Sequence, residues 1–258
     1  MTHPIESFHL YGQTALVTGA SSGLGRHFVG LLARCGARVI AAARRTAPLE
    51  HLVSELEAKN HSASAITLDV TNAEAVTRAF DQLVDHDQVP DIVINCAGVA
   101  VSRPMLEQSE AEWDQVLDTN LKGAWLVSQE AARRLVCAGQ SGSIVNIASI
   151  TGERVAGAVA PYCASKAALI HLTRSMALEL ARYRIRVNAL APGYVMTELN
   201  ADFLGSVAGE RLKARIPQQR FGQPEDLDGP LLLLASDAGR FMTGSVIAAD
   251  GGHLVSGL

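Results

Sequence analysis

Tyr162 and Lys166 stand four residues apart in the run Pro161-Tyr-Cys-Ala-Ser-Lys-Ala-Ala-Leu169, and Ser149 lies thirteen positions upstream of the tyrosine, at the end of an apolar run. Positions i and i+4 of a helix share one face, so the Lys166 ammonium can lie beneath the Tyr162 phenol. A cation placed there favours phenolate and should lower a pKa that is ordinarily about 10, giving a group that exchanges protons near neutral pH. An isolated Tyr-x-x-x-Lys also describes two solvated side chains paired by chance. The pair therefore gains meaning only from the rest of the chain.

A second chemical signature lies near the start. An apolar run enters Thr18-Gly-Ala-Ser-Ser-Gly-Leu-Gly25, and an amphipathic stretch follows it. Gly19 suits a tight turn, Gly23 lets backbone approach a pyrophosphate, and Gly25 lets helix and strand pack closely, with Ser21, Ser22 and Leu24 completing the cradle. The spacing is Gly-x-x-x-Gly-x-Gly rather than the commoner Gly-x-Gly-x-x-Gly. Arg26 and His27 stand where a nucleotide-triphosphate loop needs Lys and Ser or Thr, so ATP or GTP hydrolysis is disfavoured. About 20 residues on, a dinucleotide fold usually places a carboxylate for the adenosine ribose. Here the run Ala41-Ala-Ala-Arg-Arg45 ends in two guanidinium groups instead. Arg44 and Arg45 suit a 2′-phosphate, which favours NADP(H) over NAD(H); the other reading is a pair of solvated loop charges.

These groups need elements to hold them. Short aliphatic runs at Thr14–Thr18, Arg38–Ala42, Ala65–Leu68, Ile92–Asn95, Ser143–Ala148, Arg186–Ala189 and Ser245–Ala249 read as strands. Longer amphipathic stretches at Leu24–Cys35, Leu49–Lys59, Ala73–Val84, Glu110–Ala138, Tyr162–Arg182 and Asp226–Ala235 read as helices, with Ser109 and Glu112 forming a capping box. Most strand runs are apolar throughout, as strands covered on both faces should be. The alternation predicts a doubly wound α/β Rossmann fold: one seven-stranded parallel sheet, helices on both faces, in a single domain.

Composition agrees. The chain has 258 residues, 48% of them hydrophobic, enough for one large core, and a net charge of −4 that offers no basic field for nucleic acid. Cys35, Cys96, Cys137 and Cys163 form no Cys-x-x-Cys pair, and the eight histidines form no ligand cluster, so reduced thiols and no metal site are expected. The start lacks a signal-peptide pattern and no apolar run approaches about 18 residues, which points to a soluble, cytoplasmic chain with no membrane partner.

With the glycine loop, Asn95-Cys-Ala-Gly98, Asn120, Ser149 and Tyr162-x-x-x-Lys166 in order, the chain resembles the short-chain dehydrogenase/reductase family over essentially its whole length. The resemblance implies that Tyr162 exchanges the proton of a carbonyl or secondary alcohol while hydride moves to or from nicotinamide, and that Ser149 binds the same oxygen. It implies that Lys166 holds the nicotinamide ribose, and that Asn120 breaks its helix and binds a water linking Lys166 to solvent. It places Asp69 and Val70 at the adenine, Asn95, Ala97 and Gly98 at the adenosine ribose, and Pro192, Gly193, Val195 and Thr197 beside nicotinamide and phosphate. Cys96 replaces the second Asn of the family's Asn-Asn-Ala-Gly turn, and both it and Cys163 read as inert packing thiols. A cofactor-sensing protein on the same fold is the alternative from another class; it would have no need of the acid.

The substrate is less legible. Residues Glu198–Pro217 form a long irregular stretch that the resemblance reads as a mobile lid. Its Leu199, Phe203, Leu204 and Val207, with Val155, Ala156 and Val159, fit either an apolar carbonyl substrate or the packing of a lid helix. Arg103, Glu153 and Arg154 stand near enough in sequence to touch a polar group, with no pattern that assigns them. Family members include 3-oxoacyl-thioester reductases, sugar and polyol dehydrogenases and steroid dehydrogenases. A carrier-bound acyl substrate would want a basic patch near the cleft, for which Arg133-Arg134 and Arg182 with Arg184 are candidates. The resemblance also implies a homo-oligomer, a tetramer by preference, pairing Leu121–Ala138 and Tyr162–Arg182 and joining last strands near Gly244–Leu258.

Overall fold

The computed structural model describes residues 4–198 and 200–256. Leu199, read above as a lid residue, and the last two positions of Gly244–Leu258 lie outside the described residues. Strands Thr14–Thr18 (β1), Arg38–Ala43 (β2), Ala63–Thr67 (β3), Ile92–Asn95 (β4), Gly142–Ile147 (β5), Ile185–Pro192 (β6) and Val246–Ala249 (β7) form one sheet in the order β3-β2-β1-β4-β5-β6-β7. Every pairing is parallel, from Thr14 against Arg38 at one side to Pro192 against Ala249 at the other. The helices are Gly23–Arg34 (α1), Thr46–Glu57 (α2), Ala73–Asp85 (α3), Glu110–Leu117 (α4), Gly123–Ala138 (α5), Ala160–Leu180 (α6), Ala201–Leu204 (α7), Val207–Lys213 (α8) and Asp228–Ala235 (α9).

Why the central strands are apolar throughout is visible in the packing. Successive side chains point to opposite faces, and both faces are covered. Ala15, Val17, Ile92 and Ile94 join Phe28 and Leu32 of α1, Leu49 and Leu52 of α2 and Leu231 of α9 in one core. Leu16 and Val93, their neighbours in the chain, join Phe80 of α3, Val127 and Leu135 of α5 and Ala177 of α6 in the other. A one-residue slip of β1 would exchange the two sets, so the register is fixed from both sides.

The helix expected over Glu110–Ala138 is broken at Asn120, as the resemblance implied. Its start is as read: Ser109 Oγ accepts from Glu112 N at 3.3 Å, and Glu112 Oε2 accepts from Ser109 N at 2.9 Å. After α4 the backbone widens into a π turn over Asp118–Lys122 before α5 begins. The cause is local, since Asn120 turns its side chain off the helix to bond a loop, and such turns recur at functional sites. The stretch after Thr197 also differs from expectation, because α7 and α8 give it regular structure. Leu204 packs there with Ile216 and Phe221, so it serves the lid's own small core. Phe203 and Val207 remain exposed at 52% and 73%. No helix among the described residues is long and apolar enough to cross a membrane.

Candidate active site

The candidate groups gather at the carboxyl ends of the strands, around the reversal of strand order between β1 and β4. Connections leave that point to opposite faces and open a crevice there. The glycine loop forms one lip. Gly19 has φ +69°, and a Cβ on it would come within 2.8 Å of Ala97 Cα. A Cβ on Gly25 would meet the Gly19 carbonyl oxygen at 2.3 Å, so no larger residue lets α1 start so close to β1. Thr18 Oγ1 accepts from both Cys96 N and Ala97 N at 3.1 Å, tying this loop to Asn95-Cys-Ala-Gly98. Ser22, the N-cap of α1, makes no side-chain cap bond, which leaves the first-turn N–H groups available to an anion.

The two arginines after β2 behave differently. Arg45 Nη2 donates to Ser21 Oγ at 2.9 Å and to Ser22 Oγ at 3.1 Å, so its guanidinium is held over the loop. Arg44 is exposed and lies near Asp69. Partial burial pushes the Asp69 carboxyl up, but bonds from Thr71 N at 3.0 Å and Thr71 Oγ1 at 2.8 Å, with the Arg44 charge, hold it below the usual range. Val70 is buried beside it. This end of the crevice therefore presents cations over two serine hydroxyls, which fits a 2′-phosphorylated adenosine by charge and by donor set.

At the other end, α6 carries Tyr162 and Lys166 on one face. Lys166 is 5% exposed; its Nζ donates to the Ile147 carbonyl at 2.8 Å and lies 5.5 Å from the Tyr162 ring centroid. Ser149 N-caps a short turn, and its Oγ accepts from Thr151 N at 3.1 Å and Thr151 Oγ1 at 3.0 Å. With those two bonds on its lone pairs, the Ser149 proton is left to donate, and its influence on Tyr162 is to favour the phenolate. Asn120 is buried in the π turn; Oδ1 accepts from Val99 N at 2.8 Å, and Nδ2 donates to Val99 O at 2.9 Å and Ser165 Oγ at 3.1 Å. A Cβ on Gly98 would lie 3.4 Å from Asn120 Oδ1 and 3.8 Å from Lys166 Nζ, so this position borders both groups.

One expectation is corrected. Lys166 was to lower the Tyr162 pKa, yet the phenol is pushed up: burial raises it, the Ser149 bond lowers it by less, and the nearby Cys163 and Cys96 thiols add to the rise. Lys166 is itself pulled down to about 8, because burial penalises its ammonium. The ammonium is drawn to the Ile147 carbonyl rather than to the phenol oxygen. Cys96 is partly buried and packs as an inert thiol, its pKa pushed up to about 12 by desolvation.

Asn146, Ser128, Thr173 and Asn200 carried no signal in the sequence, and they position residues that did. Asn146 of β5 receives Asn95 Nδ2 at 2.9 Å and donates to Thr173 Oγ1 of α6 at 2.9 Å, while Asn95 Nδ2 also reaches Ser128 Oγ of α5 at 2.8 Å. This buried chain ties the active-site helix to the sheet. Asn200 accepts from Thr197 N at 2.8 Å and donates to Val195 O at 2.9 Å, shaping the segment after Pro192. Gly193 packs on Asp250, where a Cβ would come within 2.7 Å of Cα. Only a three-dimensional view pairs Asn95, Asn146, Ser128 and Thr173, whose partners are 27 to 51 positions apart.

The basic pairs considered for docking do not face the cleft. Arg184 immediately precedes β6, and its carbonyl accepts from Gly142 N at the start of β5, so it marks the amino edge of the sheet. Arg134 is engaged by Glu130 at 2.6 Å and Asp81 at 2.8 Å, Arg182 lies over Tyr183 at 4.7 Å, and Arg184 donates to Gly139 O at 2.9 Å. Among the described residues Arg133 has only a long contact of 3.5 Å to Glu130. A docking patch near the cleft is therefore not built from them.

Residues 19–253 match a family model described as enoyl-(acyl carrier protein) reductase. The chain is 39% identical over 261 residues to gluconate 5-dehydrogenase of Gluconobacter oxydans, covering 99% of this chain and 100% of that one. It is 36% identical to 3-oxoacyl-[acyl-carrier-protein] reductase of Thermotoga maritima, covering 95% of this chain and 99% of that one. Among solved structures, a gluconate 5-dehydrogenase from Burkholderia cenocepacia in complex with NADP and tartrate superposes with TM-score 0.95 at 32% identity, covering 99% of this chain and 100% of that one.

Proposed function

Because the chain belongs to the short-chain dehydrogenase/reductase family, we propose that it is an NADP(H)-dependent oxidoreductase that interconverts a carbonyl and a secondary alcohol with Tyr162 as general acid and base. One observation carries the reading: Ser149, Tyr162, Lys166 and Asn120 converge beside a glycine cradle whose far end carries Arg45 on Ser21 and Ser22. Gly19, Gly23 and Gly25 with the first turn of α1 hold the pyrophosphate. Arg44 and Arg45 hold the 2′-phosphate, Asp69 and Val70 the adenine, Asn95, Ala97 and Gly98 the ribose, and Pro192, Gly193, Val195 and Thr197 the nicotinamide end. The nicotinamide, when bound, supplies the hydride chemistry.

Tyr162 holds its proton at neutral pH, because its phenol is pushed above the ordinary range, and so it begins reduction as the donor. Ser149 donates to the same substrate oxygen and stabilises the alkoxide character that develops there. Lys166 holds the nicotinamide ribose, and its proton affinity, lowered to about 8 by burial, suits it to a proton relay. Asn120 positions Ser165 and the Val99 loop and binds the water that links Lys166 to solvent. A regulatory cofactor sensor would need none of these groups. The segment 198–217, with α7 and α8, acts as a lid over the substrate. The exposed Trp125 and Val136 of α5 and Leu178 of α6 support a homotetramer joined through those helices.

A 3-oxoacyl-thioester reductase is the narrower second reading, favoured by the Thermotoga relative. The test is turnover with NADPH and with NADH, over acyl thioesters, sugars and sugar acids, steroids and simple ketones, repeated with Arg44→Asp. NADPH is expected to be preferred and Arg44→Asp to erode the preference. Equal use of both cofactors by the unaltered protein refutes the cofactor assignment, and no turnover of any carbonyl or alcohol refutes the reaction class.

A further inference from the structure

A cluster of cations near Tyr194 has no part in hydride transfer. Arg154 follows the Ser149 turn, and its Nη1 donates to the His253 carbonyl and, at 2.8 Å, to Ser256 Oγ. Its Nε and Nη2 have no hydrogen-bond partner among the described residues, so the guanidinium is anchored at one corner and open at the others. The His253 ring lies 5.8 Å from the Tyr194 ring and is 8% exposed. Its Nδ1 is buried with no hydrogen-bond partner. A buried polar nitrogen without a partner is rare in folded proteins, and with Nδ1 sealed it is Nε2 that His253 can offer to a ligand.

The surrounding charge points one way. Arg215, at the end of the lid segment, places a second guanidinium close enough to act on the His253 ring. The nearby carboxylate, Asp250, is committed to backbone: Oδ1 accepts from Gly252 N at 2.8 Å and Oδ2 from Leu254 N at 2.7 Å. Burial and the Arg154 charge hold His253 below its usual range, so its ring is neutral at pH 7 and has one N–H to give. Tyr194 connects the cluster to the reaction, being close enough to Tyr162 to influence its proton affinity.

The structure assigns this cluster to substrate recognition: Arg154, with His253 and Arg215, binds the carboxylate of a small polyhydroxylated acid whose alcohol carbon is presented to Tyr162 and Ser149. The assignment rests on the hydride-transfer reading and chooses within it. An anchored guanidinium with open donors meets a carboxylate through paired hydrogen bonds, and the His253 N–H adds a third. The acyl chain of a thioester has no charge to meet these groups. Relatives whose names carry gluconate, and a related structure that holds tartrate, involve acids of the same chemistry.

The test compares D-gluconate with the neutral polyol D-glucitol as substrates for NADP+ reduction, in the unaltered protein and in Arg154→Gln and Arg215→Gln. For Arg154→Gln, KM for gluconate is expected to rise about 10- to 100-fold, with kcat little changed and with KM for glucitol and NADP+ unaffected. Arg215→Gln, whose side chain makes no hydrogen bond or ion pair among the described residues, should shift KM for gluconate in the same direction by less. Calorimetric titration of gluconate into the NADP+-loaded protein gives the same comparison without turnover. Unchanged gluconate KM and affinity in Arg154→Gln, or an equal loss for glucitol, overturns the assignment. Turnover of thioesters or neutral alcohols by a protein that neither oxidises nor binds gluconate also overturns it while leaving the reaction class standing. Gluconate binding that depends on Arg154 in a protein with no hydride transfer would support the cluster and sink the reaction class instead.

Discussion

Replacing Lys166 by methionine should stabilise the protein while abolishing its chemistry. The ammonium is 5% exposed and its pKa is pulled from 10.5 to about 8. At about 1.36 kcal/mol per pKa unit, that fall corresponds to about 3 kcal/mol of native-state cost at pH 7, where folded and unfolded chains both carry the proton. Methionine matches the side chain in length and volume and removes the charge. It also removes the bond to the Ile147 carbonyl, which returns about 1–2 kcal/mol of destabilisation. The net expectation is a gain of about 1–2 kcal/mol, or about 2–6 °C in Tm for a chain of this size. The sign of the pH dependence follows from linkage. Between about 8 and 10.5 the unfolded chain holds a proton at Lys166 that the native protein has released, so the wild type gains stability as pH rises through that window. Lys166→Met lacks this gain, and its advantage should shrink toward alkaline pH. Thermal unfolding of both proteins at pH 7 and pH 10, at one protein concentration, measures it. A variant less stable than wild type at pH 7, or an advantage that does not diminish with pH, would refute the argument that burial dominates at this lysine.

Two further substitutions test the scaffold. Gly25→Ala places a methyl group 2.3 Å from the Gly19 carbonyl oxygen, backbone that cannot yield, and should cost about 1–3 kcal/mol and sharply weaken NADPH binding by calorimetric titration; unchanged affinity would show that the loop tolerates the added atom. Asn146→Ala removes the link between Asn95 and Thr173 and should lower stability in denaturant by about 2–3 kcal/mol with a fall in kcat, since α6 loses its tie to the sheet; a variant with unaltered midpoint would remove that network from the account.

Much of this architecture is legible in the chain because two-sided burial writes itself as uninterrupted aliphatic runs: β1 and β4 are read with their observed limits. The glycine loop is equally legible, since only glycine satisfies the approach of Gly25 to Gly19. Other features escape for physical reasons. The amphipathic pattern runs unbroken through Asp118–Lys122, so only the family resemblance gave the break at Asn120; the side-chain bonds of Asn120 to Val99 and Ser165 favour the π turn, and those partners are remote in sequence. The helices α7 and α8 are too short for periodicity to reveal, and Leu204 is buried only because Ile216 and Phe221 fold back on it. The sense of the Tyr162 shift was misread because spacing places Lys166 on the right face but says nothing of burial, nor of the Ile147 carbonyl that captures its proton. His253 and Arg215 gave no signal at all, being joined to Arg154 only across the fold.

The central claim is that the Tyr162 hydroxyl completes the hydride transfer. It is tested most directly by following deuterium from 4-deuterated NADPH into product in single turnovers of wild type and Tyr162→Phe. The account predicts that the variant binds NADPH with unchanged affinity and transfers deuterium about 10²- to 10⁴-fold more slowly. Transfer at a rate near that of wild type would contradict it.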